Sequence, residues 1–222
     1  MCTISSWSFD GFGHQLMSIV KCKEYALQNN LLFVGTKKTH MEHHDPDKSI
    51  LLGLLSTISG KEHYHVHPQR YHNHICGMNC TVSSTPLSIC DSCTSHPDAD
   101  IRKNIARTLC TNVPKTRRVT CHKRYACFHV RQTQSWENAR WLQDRRPKLD
   151  ILFRNNHTHK AVITHGEFEK DHTFIDFQNH NIFKADFSIF ETIFFVNRCC
   201  QTYTTLSKSS FGDTLDIVHK YC

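Results

Sequence analysis

The chain lacks any apolar run long enough to cross a bilayer. Crossing one takes roughly 20 consecutive apolar residues, and the longest apolar pieces here, residues 50–55 and 189–196, have the length of core elements. No basic segment followed by an apolar stretch opens the sequence, so no secretory signal is legible. No evident basic helix is present either, which argues against nucleic acid as the partner despite a net charge of +7. That charge still favours an anionic partner of some kind. The composition is not that of a disordered chain, because 39% of residues are hydrophobic and only 21% charged. The 222 residues suffice for one or two domains with real cores.

Cysteine, by contrast, is abundant, with twelve in the chain. In an oxidising compartment these would form disulfides; in a reducing one they would be thiols or metal ligands. The triplets Asn79-Cys80-Thr81 and Asn156-His157-Thr158 lean toward a secretory route. The expected compartment stays open between the cytoplasm and, if the natural start lies upstream, the Golgi or secretory pathway.

Periodicity organises the rest. Residues 1–10 read as a strand or arm and Gly11-Phe12-Gly13 as a turn. Residues 15–28 follow as an amphipathic helix with Leu16, Ile19, Val20 and Leu27 on one face. Asn29-Asn30 ends it, and residues 31–34 read as a buried strand. Residues 36–100 lack clear periodicity and read as a loop-rich insertion with a helix at 49–59; a helix at 101–110 and a linker at 112–120 follow. Beyond Arg124 the pattern predicts a strand at 125–130, a helix at 136–142 and strands at 161–164 and 173–177. Asp186 is the expected cap of a helix to about 200, with Phe187, Phe190 and Phe194 toward the core. A strand at 203–206 and a helix at 211–220 close the chain. The expectation is an α/β fold with a mainly parallel sheet and its ligand crevice at the strands' carboxyl ends. It divides into an N-terminal α/β half, 1–112, with a Cys/His-rich insertion at about 36–100, and a C-terminal nucleotide-binding half, 120–222.

Three segments carry chemistry. The strand ending His129-Val130-Arg131 places His129 and Arg131 on one side by alternation. A guanidinium there matches a diphosphate and would stabilise charge gathering on a departing nucleotide. A surface strand end with a salt-bridged Arg is the plainer alternative. The segment at 203–213, YTTLSKSSFGD, runs from strand through a hydroxyl-rich turn into a helix. Exposed N–H groups at such a helix start bind phosphate; ordinary capping by Ser209 or Ser210 is the alternative. In Gly11-Phe12-Gly13-His14-Gln15-Leu16, two glycines allow backbone to approach a ligand, or simply make a turn.

Together the three segments resemble the fucosyltransferase superfamily, which includes α1,6-, α1,2-, nodulation and protein O-fucosyltransferases. Gly11-Phe12-Gly13-His14-Gln15 is similar to its opening turn and helix, and His129-Val130-Arg131-Gln132 to its His-Val-Arg-Arg strand end. The strand through Val162 to Glu167 and the closing helix, strand and hydroxyl loop at 197–212 also match its pattern. The resemblance implies a GT-B-like fold of two Rossmann-like halves, with the N-terminal one reduced, and inverting transfer of fucose from GDP-fucose to a glycan or protein hydroxyl. No metal would be obligatory. It implies that Gly11, Gly13, His14 and Gln15 take part in binding. His129 and Arg131 would hold the diphosphate; Ser209, Ser210 and Phe211 would hold phosphate and neighbouring donor groups. Glu137 is the candidate base, with a helix-surface carboxylate as its alternative. Departures from the pattern are Gln132, Gln134 and His14, and the chain is short for the family. A catalytically inactive relative therefore remains an open reading.

A competing reading uses Cys76, Cys80, Cys90 and Cys93, preceded by His63, His65, His67, His72 and His74. Four soft ligands complete a zinc tetrahedron, which would make the chain a zinc-binding interaction module. Disulfides or free thiols are the alternatives.

Overall fold

The structure, a computed structural model, describes residues 3–6, 11–36, 47–60, 80–83, 96–113, 119–130, 149–164, 182–206 and 209–222. It is α/β throughout and divides into two compact units, Met1–Leu109 and Cys110–Cys222.

The N-terminal unit centres on β1 (Thr3–Ser6), paired parallel with β2 (Leu32–Thr36) and antiparallel with β3 (Cys80–Ser83). Between β1 and β2 runs α1 (Phe12–Gln28), burying Phe12, Leu16, Ile19 and Val20. It starts before the expected position, so Gly13 lies inside the first turn and Gly11 is the N-cap. Leu27 is exposed rather than on the core face, and Leu32 of β2 is exposed rather than buried. The helix ends because Asn30 enters the left-handed region at φ 52°, which Asn tolerates. The N–H of Leu31 then reaches back to the Ala26 carbonyl at 2.8 Å. α2 (Lys48–Ser59) buries Leu51, Leu54, Leu55 and Ile58, a helical stripe. Lys23 of α1 donates to the Ile58 carbonyl at 2.6 Å, and burial lowers its pKa. β3 is a strand inside the stretch expected to be loop.

α3 (Ala99–Asn112) is capped by Asp98, whose carboxylate accepts from the Ile101 N–H at 2.8 Å. Glu24 of α1 is buried and accepts from Arg102 Nε at 2.7 Å and the Asp98 N–H at 3.0 Å. A buried carboxylate is tolerated only when so paired.

The C-terminal unit holds four parallel strands in the order β6-β5-β4-β7: β4 (Tyr125–His129), β5 (Lys160–Thr164), β6 (Ile182–Asp186) and β7 (Cys200–Thr205). Parallel strands need both faces covered. One face carries Ala126, Phe128, Val130, Val162 and Ile182, packed with Leu152 of α4 (Leu149–Arg154). On the other, α5 (Ile189–Cys199) and α6 (Ser210–Tyr221) pack on each other and on β7.

Asp186 ends β6 and does not cap α5. The cap is Ser188, which accepts from the Glu191 N–H while Glu191 takes the Ser188 N–H at 3.0 Å. Phe190 is buried as expected, but Phe194 is only half-buried; Phe187 joins a ring cluster with Phe195, Phe183 and Tyr125 between α5 and the sheet. The expected helix at 136–142 and strand at 173–177 lie outside the described residues.

Three disulfides staple this unit: Cys110–Cys222, Cys121–Cys199 and Cys127–Cys200, with Cα separations of 6.5, 5.3 and 5.8 Å. The adjacent cysteines at the α5–β7 junction thus bind the segment leading into β4 and β4 itself.

Glu24→Ala should lower unfolding stability by about 3 kcal/mol in urea, since Arg102 loses its buried partner. Replacing Cys110 and Cys222 together by Ser should cost about 4 kcal/mol, because the bridge closes a long loop in the unfolded chain; the same titration under non-reducing conditions reads it.

Candidate functional site

In sequence the four strands of the C-terminal sheet are first, second, third and fourth, but in space they lie third, second, first, fourth. The chain moves outward from β4 to β6, then returns to the other side of β4 as β7. β4 and β7 therefore flank the point where the strand order reverses, and open parallel sheets bind ligands at the carboxyl ends beside such a point.

His129 ends β4 at this point and is buried, 2% exposed. The ladder continues past the strands, with the Leu206 N–H donating to the His129 carbonyl at 2.9 Å. Beyond Leu206 the chain turns into α6. Ser209 caps it, its hydroxyl accepting from the Gly212 N–H at 3.3 Å. The His129 ring meets Phe211 edge-on, with centroids 6.0 Å apart. Gly212 lies against the same ring. A Cβ there would stand 2.9 Å from His129 Nδ1 and 2.8 Å from Thr205 Cγ2. This close approach between strand end and helix start requires glycine.

Tyr203 braces the same turn. Its hydroxyl donates to the Gly212 carbonyl at 3.0 Å and accepts from Thr205 Oγ1 at 3.3 Å. Burial of the phenol, with Asp216 and Asp213 adding to it, raises its pKa far above the usual value. It is a neutral donor throughout the physiological range.

The structure thus gathers His129, Ser209, Ser210 and Phe211 at one junction. Ser209 performs the capping role that the sequence left as its alternative; such a hydroxyl keeps its own proton for a further acceptor. Arg131 and Glu137 lie outside the described residues. Gly11, Gly13, His14 and Gln15 belong to the N-terminal unit, where Gly11 and His14 are half-buried and Gln15 is buried at the start of α1. Sequence reasoning quoted Tyr203, Thr205 and Gly212 within their segment but gave them no role. A glycine in the first turn of a helix, straight after a hydroxyl run, was the available signal.

The Cys76, Cys90, Cys93 and His63 to His74 ligand candidates fall outside the described residues, and Cys80 is described only as backbone in β3. Among the described residues no group of three or more His, Cys, Asp or Glu is placed to hold a metal. Among the same residues no helix is long and apolar enough to cross a membrane. Comparison of the chain with protein-family models, with curated proteins and with solved structures finds no match.

Gly212→Ala should cost about 1–3 kcal/mol by overpacking. It should also displace the imidazole of His129, readable as a shift of that ring's NMR resonances; unchanged resonances would mean the contact is looser than 2.9 Å implies.

Proposed function

We propose that the chain is an inverting glycosyltransferase of the fucosyltransferase type, transferring fucose from GDP-fucose to a hydroxyl of a glycan or protein. The observation that carries this reading is the junction of His129 with the first turn of α6, at the reversal of strand order between β4 and β7. Two segments picked from sequence for a diphosphate, far apart in the chain, meet at the point where parallel sheets take nucleotides. Two α/β units, each with a parallel β-α-β start or sheet, are what a GT-B-like enzyme of two Rossmann-like halves would need.

In this reading the diphosphate lies over the start of α6. Backbone N–H groups and the Ser209 and Ser210 hydroxyls donate to its oxygens. Arg131 forks onto the same oxygens. The acceptor hydroxyl gives its proton to a base, Glu137 being the candidate, and its oxygen forms a bond to C1 of fucose. The bond from C1 to the diphosphate oxygen breaks on the opposite face, so the anomeric centre inverts and GDP leaves with the electron pair. Charge rises on GDP as that bond breaks, which is where Arg131 and the helix start lower the barrier. No metal is required for these steps, and Gly11, Gly13, His14 and Gln15 of the N-terminal unit would take part in binding the donor.

Calorimetry with GDP and GDP-fucose tests the reading. Arg131→Ala should weaken GDP by about 10- to 100-fold, the worth of a charged hydrogen-bonding pair. Glu137→Gln should leave GDP affinity intact while cutting fucose transfer by about 100-fold or more. Complete absence of nucleotide binding by the wild type would remove the transferase; binding without transfer or donor hydrolysis would identify an inactive relative.

A further inference from the structure

We propose that Asn156 is an N-glycosylation site, occupied by an oligosaccharide in an oxidising secretory compartment. The triplet Asn156-His157-Thr158 has the acceptor pattern: an Asn carboxamide, a middle residue other than Pro, and a hydroxyl two positions on. Such triplets are common, and most of the decision lies in the structure around them.

The segment connecting α4 to β5 places the three side chains differently. Asn156 and Thr158 are exposed, while His157 is half-buried. His157 is held on both ring nitrogens, Nδ1 lying 3.0 Å from the His159 carbonyl and Nε2 2.9 Å from Gln201 Oε1. Its N–H donates to Asn155 Oδ1 at 2.9 Å. The middle residue is thus tied to the protein, and the two residues that a glycosylating enzyme must recognise face solvent on either side. No helix or strand has to unravel to present them.

A second, independent observation supplies the compartment. Cys110–Cys222, Cys121–Cys199 and Cys127–Cys200 are all bridged within the same unit. Structural disulfides form and persist where the surroundings are oxidising, which is also where glycans are attached to Asn-x-Thr acceptors. The connection sits at the amino end of β5, whereas the junction of His129 with α6 lies at the carboxyl ends of the strands. One strand of five residues separates the two levels, roughly 15 Å, so a glycan on Asn156 would stand clear of that junction.

The transfer balances as follows. The carboxamide nitrogen of Asn156 attacks C1 of an oligosaccharide carried on a lipid diphosphate. The N–C1 bond forms and the C1–O bond to the diphosphate breaks. The lipid diphosphate leaves with the electron pair, and the amide proton passes to a base of the transferring enzyme. The proposal does not depend on the transferase reading of the chain itself.

The test is production of the full chain in the endoplasmic reticulum of cultured eukaryotic cells, then peptide mapping without reductant. Release of glycans by peptide N-glycosidase in heavy-oxygen water should convert Asn156 to labelled Asp in most chains carrying the three bridges. Thr158→Ser should keep the label and Thr158→Ala should abolish it. Chains with the bridges formed but Asn156 unmodified, labelling confined to Asn79, or chains in which the six thiols stay free would each overturn the proposal.

Discussion

An imidazole resting on a glycine holds the carboxyl end of the C-terminal unit's sheet in place. His129 and Gly212 approach so closely that no methyl group fits between them. The contact joins the last residue of β4 to the first turn of α6, and the Leu206 N–H bond to the His129 carbonyl fixes the same spacing through the backbone. Tyr203, reaching from β7 to the Gly212 carbonyl, closes the triangle. Strand end, neighbouring strand and helix start are therefore positioned together, and the helix N-terminus cannot drift from the strand end without breaking packing on all three sides.

The two edges of this sheet divide the work. Stapling is concentrated at the amino edge: Cys121 precedes β4, Cys200 begins β7, Cys199 ends α5, and Cys222 ends α6, which returns from the carboxyl edge. His157 adds its bond to Gln201 on the same side. A unit of this size has a limited core, and cross-links spanning 73 to 112 residues of sequence remove much of the freedom of its unfolded chain. The carboxyl edge carries none of these covalent ties. It is shaped instead by glycine packing and by hydrogen bonds at the start of α6.

What sequence could disclose follows from how local each signal is. The apolar block before His129, the run at Ala161 and the helical face of Leu16, Ile19 and Val20 are written in neighbouring residues, and β4, β5 and α1 were readable from them. The capping box of Ser188 and Glu191 is equally local, but Asp186 nearby offers a competing cap, and the residues of β6 before it carry no assignment from periodicity. Leu27 was assigned to the core by spacing alone, although the helix is about to end there and leaves it in solvent. Strand order is a different matter. Nothing in residues 125–205 encodes that β7 returns beside β4 rather than beside β6, and cysteine pairing cannot be deduced from spacing. The segments later joined as a site were recognisable singly, while their meeting is a property of the topology.

The electrostatics of the junction limit what the helix start could offer an anion. An α-helix N-terminus carries about half a positive charge, and α6 places Asp213 in its first turn. That carboxylate already offsets the dipole that would attract an anion. A diphosphate at Ser209 and Ser210 would gain hydrogen bonds there but little net attraction. His129, buried against Gly212 and Phe211, serves the junction as packing. An anion held there would need a full positive charge from another residue, which under the proposed reading is Arg131. Under that reading the hydroxyl turn and the guanidinium would be complementary: one would supply direction to an anion, the other the charge that makes its binding favourable.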